Sequence, residues 1–176
     1  LIVAEMPQPG YPPASMSQSR IRNFSIFAHI DHGKSSLMLN LTGYNTAVLR
    51  EEQEREMTIE LGFVFNGDNV TVIDVHGHAK FLKTMLAGAS GVDGAILVIA
   101  ADDGIMPQTR EHFEILQLLG IEQGIIALTK IDLAEEEWCE LVIDDIRDMV
   151  KNTFLENAPI LPLSNRSGSG MDEFKV

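Results

Sequence analysis

Four of the five histidines lie in two short loops, each of which follows an apolar run. They are His29 and His32 in AHIDHGKSS (28–36), and His76 and His78 in DVHGH (74–78). Imidazole is a common zinc ligand, so the two loops could form a zinc site if the fold brings them together. The charge of Lys34 and the distance of Cys139 in sequence count against zinc, whereas phosphate groups would suit the same loops.

The first of these loops has the pattern of a phosphate-binding loop. A strand-like run at 22–28 leads into a tight turn and then into Gly33-Lys34-Ser35, which opens a helical pattern. Backbone N–H groups at such a helix N-terminus face an anion. Lys34 can reach β and γ phosphates, and the Ser35 hydroxyl can bind Mg²⁺. Ala28 stands where this pattern usually has glycine, and a residue this small still allows the loop to close.

The second loop places Asp74 at the end of an apolar run and Gly77 three residues later. The carboxylate can hold the Mg²⁺ shell, and the glycine N–H can touch a γ-phosphate, so the loop would sense that phosphate. Because D-x-x-G also occurs in ordinary turns, the assignment depends on its position one hairpin after the first loop. With phosphates in the site, His78 can orient or polarise the attacking water.

A later strand-like run ends in TKID at 129–132, which suits a pocket for a nucleotide base. Asp132 can accept hydrogen bonds from guanine N1 and N2, a pair of donors that adenine lacks. Lys130 can lay its stem along the ring, and Ser164, at the end of the last strand-like run, can brace the pocket. The alternative is a solvated strand end.

The overall composition predicts one soluble domain with a net negative surface. The chain has 176 residues, 45% apolar and 22% charged, with a net charge of -13. Such a surface repels phosphate backbones, so we expect no direct nucleic-acid binding. Cys139 has acidic neighbours that raise a thiol pKa, so we expect a packed helix residue. No apolar run has membrane-spanning length, so we expect no membrane contact. A single cysteine fits a reducing compartment, and we expect a cytoplasmic protein, with an organellar location left open.

The hydrophobic pattern predicts the strands that would position these loops. Apolar runs at 94–101, 124–130 and 158–164 alternate with helical patterns, and two strand-like runs flank Gly67-Asp68-Asn69 as a hairpin. Continuous apolar strands that alternate with helices indicate an α/β fold, with a mostly parallel sheet covered by helices on both faces. Ligands bind such sheets at the carboxyl ends of the strands, where all these loops lie.

Helices are predicted from Ser35 to Gly43, and from Pro107 to Gly120. A third helix places one apolar stripe, Trp138, Val142, Ile146, Met149 and Val150, toward the core. A last helix is expected at 170–176, and His112 is expected on the surface of the second. The Pro- and Ser-rich residues 1–20 are predicted to form a flexible tail, with a single domain at 21–176 and a mobile connection at 44–60.

Together these motifs resemble the G domain of translational GTPases. The resemblance rests on IRNFSIFAHIDHGKSSL, MTIELGF, IDVHGHAKFLKTMLAG, VIAADDGIMPQTREH and LTKIDL, and covers nearly everything after the tail. Residues 57–163 are most similar to selenocysteine-specific elongation factors, whereas residues 21–37 are more similar to elongation factor 4. The resemblance implies a P-loop GTPase fold with a six-stranded, mostly parallel sheet, and a domain that binds GTP and GDP with Mg²⁺.

The resemblance also implies roles for single residues. His78 takes the place of the catalytic histidine, and Asp31 matches an aspartate associated with a monovalent cation. The implied Mg²⁺ ligands are Ser35, Thr58 and Asp74. The implied nucleotide-binding residues are Asp31, His32, Gly33, Lys34, Ser35, Ser36, Gly77, Thr129, Lys130, Asp132, Leu133, Ser164, Asn165 and Arg166.

In this family the intact factor delivers aminoacyl-tRNA to the ribosome, and the similarity to selenocysteine-specific factors implies selenocysteinyl-tRNA as a candidate cargo. Hydrolysis is expected to be slow until the ribosome repositions the histidine. We expect a monomer, and we expect the downstream domains that grip tRNA to be absent from this chain.

Some residues depart from the family pattern. His76 stands where proline is usual, and it loosens the loop because proline fixes φ and lacks an N–H. Glu56 stands where glycine is usual, and Asn165-Arg166 replace the usual residues after Ser164, which bears on the contact to guanine O6. These departures favour, as an alternative, a guanine-nucleotide-binding module with impaired hydrolysis. A zinc-binding interaction protein is the third reading.

Overall fold

The computed structural model describes residues 22–29, 31–43, 62–66, 70–74 and 92–174, and for 62–66 and 70–74 it describes the backbone only. Several predicted features lie outside these ranges. They are the tail, the connection at 44–60 with Glu56 and Thr58, the turn at 67–69, and His76, Gly77 and His78.

Six strands within the described ranges form one sheet. They are β1 (Arg22–Ala28), β2 (Gly62–Asn66), β3 (Val70–Asp74), β4 (Gly94–Ala100), β5 (Gly124–Thr129) and β6 (Ile160–Pro162). Their order is β2-β3-β1-β4-β5-β6. Only the β2–β3 pairing is antiparallel among them, which matches the predicted hairpin, and the other pairings are parallel. The mostly parallel α/β fold is therefore as predicted.

The central strand β4 shows why helices cover both faces of the sheet. All seven of its residues are buried. Successive side chains of a strand point to opposite faces, so Leu97 and Ile99 join one apolar core while Ile96 and Val98 join another. The first core packs against helices α2 (Pro107–Leu118) and α3 (Glu136–Val150), and the second packs against α1 (Lys34–Thr42) and the short α4 (Met171–Phe174).

The helix ends follow the residues that predicted them. Gly43, with φ 75°, ends α1 and donates its backbone N–H to Leu39 O. Pro107 opens α2 at a position where its missing N–H costs nothing. Gly120, with φ 68°, follows the end of that helix. None of the helices within the described ranges is long and apolar enough to cross a membrane.

Two predictions about helix faces were wrong. His112 was expected at the surface, but it is 2% exposed, and its ring centroid lies 6.1 Å from that of Phe27 in β1. Trp138 was expected in the core stripe of α3, but it is 49% exposed. Its Nε1 donates to Ala101 O at 2.8 Å, so the indole lies over the end of β4. The face of α2 that meets the sheet includes a polar side chain, which apolar periodicity alone does not reveal.

Two further elements differ less from expectation. The last strand covers three residues, 160–162, instead of 158–164, and prolines without an N–H donor stand at 159 and 162. Cys139 is partly buried in α3, as predicted. Burial raises the pKa of its thiol, and the charge of Glu136 adds to the effect.

Candidate nucleotide-binding site

The loop after β1 presents the N-terminus of α1 without a side-chain cap. Gly33, with φ 82°, precedes the helix, no side chain caps it, and no acidic residue lies in its first turn. Leu37 N–H is the first to bond back along the helix, to Gly33 O at 2.8 Å. In any α-helix the first N–H groups point out of the N-terminus, because no preceding turn offers them a carbonyl. Such a terminus binds anions through these donors and its dipole.

Gly33 is also a point of close packing. A Cβ there would lie 3.1 Å from Asn165 Nδ2 and 3.6 Å from Thr129 Oγ1. A side chain would therefore meet both the TKID loop and the loop after β6, besides the strain of a left-handed φ. The sequence reading assigned these three residues to one site, and the fold brings them together.

Thr129, the last residue of β5, bonds directly to the phosphate loop. Its buried Oγ1 donates to His32 O at 2.7 Å and lies 3.3 Å from Ile99 O. The hydroxyl of a strand end thus holds a backbone carbonyl of a loop that is 97 positions away in sequence.

Lys130 follows in a left-handed conformation, with φ 57°. Its Nζ lies 2.9 Å from Asp102 Oδ2 and 3.7 Å from Asp103 Oδ2, at the carboxyl end of β4. Burial pulls the pKa of Lys130 down, but the hydrogen bond and charge of Asp102 outweigh this, so the pKa is raised. The lysine therefore stays charged, and its head group is fixed at the edge of the sheet.

Asp132 lies in a short 3₁₀ helix, Ile131–Leu133, directly after that lysine. Both Asp132 and Leu133 are exposed. An exposed carboxylate beside a fixed lysine can accept a pair of hydrogen bonds from a planar donor edge, as the base-pocket interpretation requires.

The loop after β6 closes the site from the other side. Ser164 is fully buried, its Oγ accepts the Ser167 N–H at 3.1 Å, and its own N–H donates to Ser169 O at 2.9 Å. The hydroxyl therefore braces the loop itself. Arg166 is exposed at its tip.

Asn165 reaches across to the phosphate loop. Its Nδ2 donates to Gly33 O at 3.2 Å. Asn40, in α1, donates to Asn165 O at 3.0 Å and to Asn165 Oδ1 at 3.3 Å. The residue that departs from the family pattern thus forms a bridge between two loops.

His32 was assigned to the nucleotide, but its side chain is fully buried beneath the loop. Nδ1 accepts the Ala100 N–H at 3.3 Å, and Nε2 lies 3.6 Å from Asp103 Oδ2. Only its backbone can face a ligand.

Burial lowers the pKa of His32 from its ordinary value of 6.5. The charges of His29 and Lys130 act in the same direction, whereas Asp103 and the Val98 backbone act against it. The imidazole is therefore neutral near pH 7.

The zinc alternative gains no support within the described ranges. They contain no group of three or more His, Cys, Asp and Glu side chains that could hold a metal ion. His29 and His32 lie edge to face, with ring centroids 5.0 Å apart, and His29 Nδ1 donates to Gln108 Oε1. His76 and His78 lie outside these ranges.

The arrangement of β1 and β3 fits Mg²⁺ at the same edge. The strands are parallel neighbours, with Asp74 in register with Ile26, so their carboxyl ends face the same side of the sheet. Ser35 stands in the first turn of α1 at that side. Hydroxyl and carboxylate oxygens are the ligands that Mg²⁺ prefers.

Three contributors to the site were not expected from the sequence. Asp102 and Asp103 lie just beyond the carboxyl end of β4, after Ala101, and acidic residues at that position could have suggested a partner for Lys130. The role of Asn40 could not be predicted from the sequence, because it depends on a tertiary contact with a loop 125 positions away.

Comparison with known proteins agrees with this geometry. The family described as the elongation factor Tu GTP binding domain matches residues 19–175. The selenocysteine-specific elongation factor of Desulfomicrobium baculatum is 53% identical over 151 residues, which are 84% of this chain and 24% of that protein. The chain thus spans about a quarter of the length of this relative.

Two solved structures are similar in fold and sequence. The crystal structure of a bacterial selenocysteine-specific elongation factor, EF-Sec, has a TM-score of 0.74 and 35% identity, and the match covers 89% of this chain and 28% of that one. Translation elongation factor SelB of Methanococcus maripaludis, in complex with the GTP analogue GPPNHP, has a TM-score of 0.71 and 33% identity, with 89% and 32% covered. The resemblance stated from the sequence is confirmed: the chain belongs to the elongation factor Tu GTP-binding domain family and is a GTPase domain homologous to that of selenocysteine-specific elongation factors.

Proposed function

We propose that this chain is the nucleotide switch of a translation elongation factor that delivers aminoacyl-tRNA to the ribosome, with selenocysteinyl-tRNA as its cargo. The observation that carries the proposal is the convergence of three loops on one helix N-terminus. Thr129 and Asn165 bond to consecutive carbonyls of the phosphate loop, those of His32 and Gly33. The segments that would hold the base and the loop that would hold the phosphates of one nucleotide are therefore joined by hydrogen bonds.

Guanine selectivity comes from the TKID loop. Asp132 accepts the N1 and N2 protons of guanine, and Lys130 supports the ring with its stem while Asp102 fixes its head group. Leu133, Ser164, Asn165 and Arg166 complete the walls around the base. Adenine offers no such pair of donors to a carboxylate, so it is excluded by an unpaired charge.

The phosphates lie at the N-terminus of α1. The N–H groups of Gly33, Lys34, Ser35 and Ser36, together with the Lys34 ammonium, balance their charge. Asp31, exposed with φ 64°, places a further carboxylate beside the loop, where a monovalent cation can be held.

Ser35, Thr58 and Asp74 would hold Mg²⁺, which would neutralise charge on the phosphate oxygens when bound. Gly77 contacts the γ-phosphate through its N–H, and His78 orients the attacking water. These assignments rest on the sequence pattern and on the position of Asp74 beside β1.

The charge distribution separates nucleotide binding from nucleic-acid binding. The chain carries a net charge of -13, so it repels an RNA backbone except where a local cation acts. We therefore assign the grip on tRNA to other domains of the factor, and to this domain a monomeric switching role in the cytoplasm.

A single-turnover assay tests this function. The protein, preloaded with GTP and Mg²⁺, is followed for phosphate release with and without ribosomes, beside a His78→Ala variant. We expect the wild-type protein to hydrolyse GTP slowly alone and faster with ribosomes. The His78→Ala variant should not be accelerated by ribosomes. Exposed Glu122→Gln serves as a surface control.

The departures His76 and Glu56 support a second function, a guanine-nucleotide module that does not turn over. Tight GTP binding without hydrolysis in either condition would favour this module. Hydrolysis that is unaffected by His78→Ala would contradict the role given to that histidine.

A further inference from the structure

We infer that Asn165 is a positioning residue, which ties the loop after β6 to the phosphate loop and slows nucleotide release. The inference rests on the proposed function, since it concerns the same nucleotide site. Asn165 departs from the residue usual in the family at this position, and its side-chain amide makes the connection.

The contacts of the Asn165 side chain fix which way its amide points. Asn40 Nδ2, a donor, lies 3.3 Å from Asn165 Oδ1. Asn165 Nδ2 then faces Gly33 O, an acceptor, at 3.2 Å. The reverse orientation would place an oxygen against the Gly33 oxygen and a nitrogen against the Asn40 nitrogen, so only one orientation satisfies both partners.

The bond acts on the peptide unit that begins the phosphate-binding helix. The Gly33 carbonyl and the Lys34 N–H belong to one planar unit, in which they point in opposite directions. Holding the carbonyl toward Asn165 therefore holds the N–H in the opposite direction. Gly33 O also accepts the Leu37 N–H at 2.8 Å, and a carbonyl has two lone pairs for two donors.

A second tether makes the arrangement rigid. Thr129 Oγ1 holds the preceding carbonyl, that of His32, at 2.7 Å. Two consecutive peptide units are thus fixed by two different parts of the fold, the last residue of β5 and the loop after β6. Without Asn165, the Gly33 carbonyl would lose this tether and keep its helical bond to the Leu37 N–H.

The functional consequence concerns the dissociation step. With the tether, the phosphate loop can open only if the loop after β6 moves with it, so base and phosphates are released together. Without it, the phosphate loop can open alone. The loss of one neutral hydrogen bond corresponds to roughly a fivefold to tenfold change in a rate.

The test measures GDP dissociation by chasing fluorescent GDP with excess unlabelled GDP, in Mg²⁺. Asn165→Ala should release GDP about fivefold to tenfold faster, with an unchanged association rate. Asn165→Asp keeps the shape of the side chain and the acceptor for Asn40, but it has no donor for Gly33 O. It should therefore release GDP at least as fast as Asn165→Ala. Asn40→Ala should have a smaller effect, and a still smaller one once Asn165 is alanine, because only the bond to the backbone oxygen of residue 165 then remains to be lost. Exposed Asn157→Ala, before β6, is the matched control.

A second readout needs no nucleotide. Hydrogen exchange of the segment around Gly33 and Lys34 should be faster in Asn165→Ala than in the wild type, with exchange in α3 unchanged. If both Asn165 variants keep the dissociation rate and the exchange rate of the wild type, the inference is overturned, even if their melting temperatures fall. Failure of the wild type to bind GDP would overturn the proposed function, and the exchange data would then decide the tether separately.

Discussion

Thr129 Oγ1 donates a hydrogen bond of 2.7 Å to the backbone oxygen of His32. Both residues are fully buried, so this bond has no competition from water. It joins the first residue of TKID to the loop before α1. A change in the loop expected to read the base is therefore transmitted to the loop expected to hold the phosphates.

Thr129→Val replaces the hydroxyl with a methyl group of nearly the same size. It leaves the His32 oxygen buried without the Thr129 donor, which costs about 1–3 kcal/mol. We expect urea denaturation to show this loss of unfolding free energy, and GDP to dissociate faster. Thr129→Ser retains the hydroxyl and should lose only part of that stability. Equal losses in the two variants would mean that the methyl group contributes as much as the hydroxyl, and no loss in Thr129→Val would contradict the importance of the hydrogen bond.

Gly170→Ala and Gly168→Ala compare a backbone clash with strain alone. Both glycines have positive φ, 75° and 80°. A Cβ at Gly170 would approach Pro162 O to 2.1 Å, whereas one at Gly168 meets nothing within 4 Å. Strain alone costs about 1–2 kcal/mol, so we expect Gly168→Ala to show that loss in thermal unfolding.

Gly170→Ala should lose more, because Pro162 O belongs to the backbone and cannot give way cheaply. It should also weaken GDP binding, since the displaced segment leads to Ser164. If the two variants lose the same unfolding free energy, the turn can shift to accommodate the new Cβ. The close approach of residue 170 to Pro162 O would then be unimportant for stability.

Asp132→Asn tests the guanine contact directly. An amide presents both a donor and an acceptor where the carboxylate presents two acceptors. Two charged hydrogen bonds are affected, so GDP affinity should fall about a hundredfold or more. Xanthosine diphosphate carries a carbonyl where guanine has its amino group, and it should bind the variant better than GDP does. A competition titration measures both, and unaltered GDP affinity would remove Asp132 from the base pocket.

His32 makes stability depend on pH. Burial lowers its pKa in the folded protein below the ordinary 6.5. As the pH falls through about 6.5, the unfolded chain gains a proton at this position and the folded protein does not, so folding stability falls. The free energy of unfolding falls by at most about 1.4 kcal/mol per pH unit from this group. The dependence disappears once the pH is below the pKa of His32 in the folded protein.

Denaturant midpoints between pH 8 and 5, for the wild type and His32→Asn, isolate this contribution. Asparagine keeps an acceptor for the Ala100 N–H but does not titrate, so the variant should lose less stability toward low pH. Since carboxylates titrate in both proteins, only the difference between the two curves is informative. Parallel curves would mean that His32 is protonated equally easily in the folded and unfolded states.

The sequence predicted those parts of the fold that depend on local pattern. The bounds of β1 and the stop of α1 at Gly43 agree with the structure, because apolar runs and a glycine at a helix end are local signals. The assignment of Thr129 and Ser164 to one site also follows from parallel strands, whose ends meet at one edge.

What the sequence could not supply depends on tertiary contacts. His112 is buried because α2 turns that face to the sheet, although a histidine suggests a surface position. Asn165 weakened the expected pattern, yet it bonds to Gly33 because two distant loops meet there. The assignments for Thr58, His76, Gly77 and His78 remain predictions from sequence and family.

Competition for bound fluorescent GDP tests the central claim most directly. Wild-type protein in Mg²⁺ is titrated with unlabelled GDP, GTP and ATP in separate series. The account predicts that GDP and GTP displace the probe and that ATP does not, because the helix N-terminus holds phosphates and Asp132 selects guanine. Equal displacement by ATP would contradict the base pocket, and no binding of the probe would contradict the nucleotide site itself.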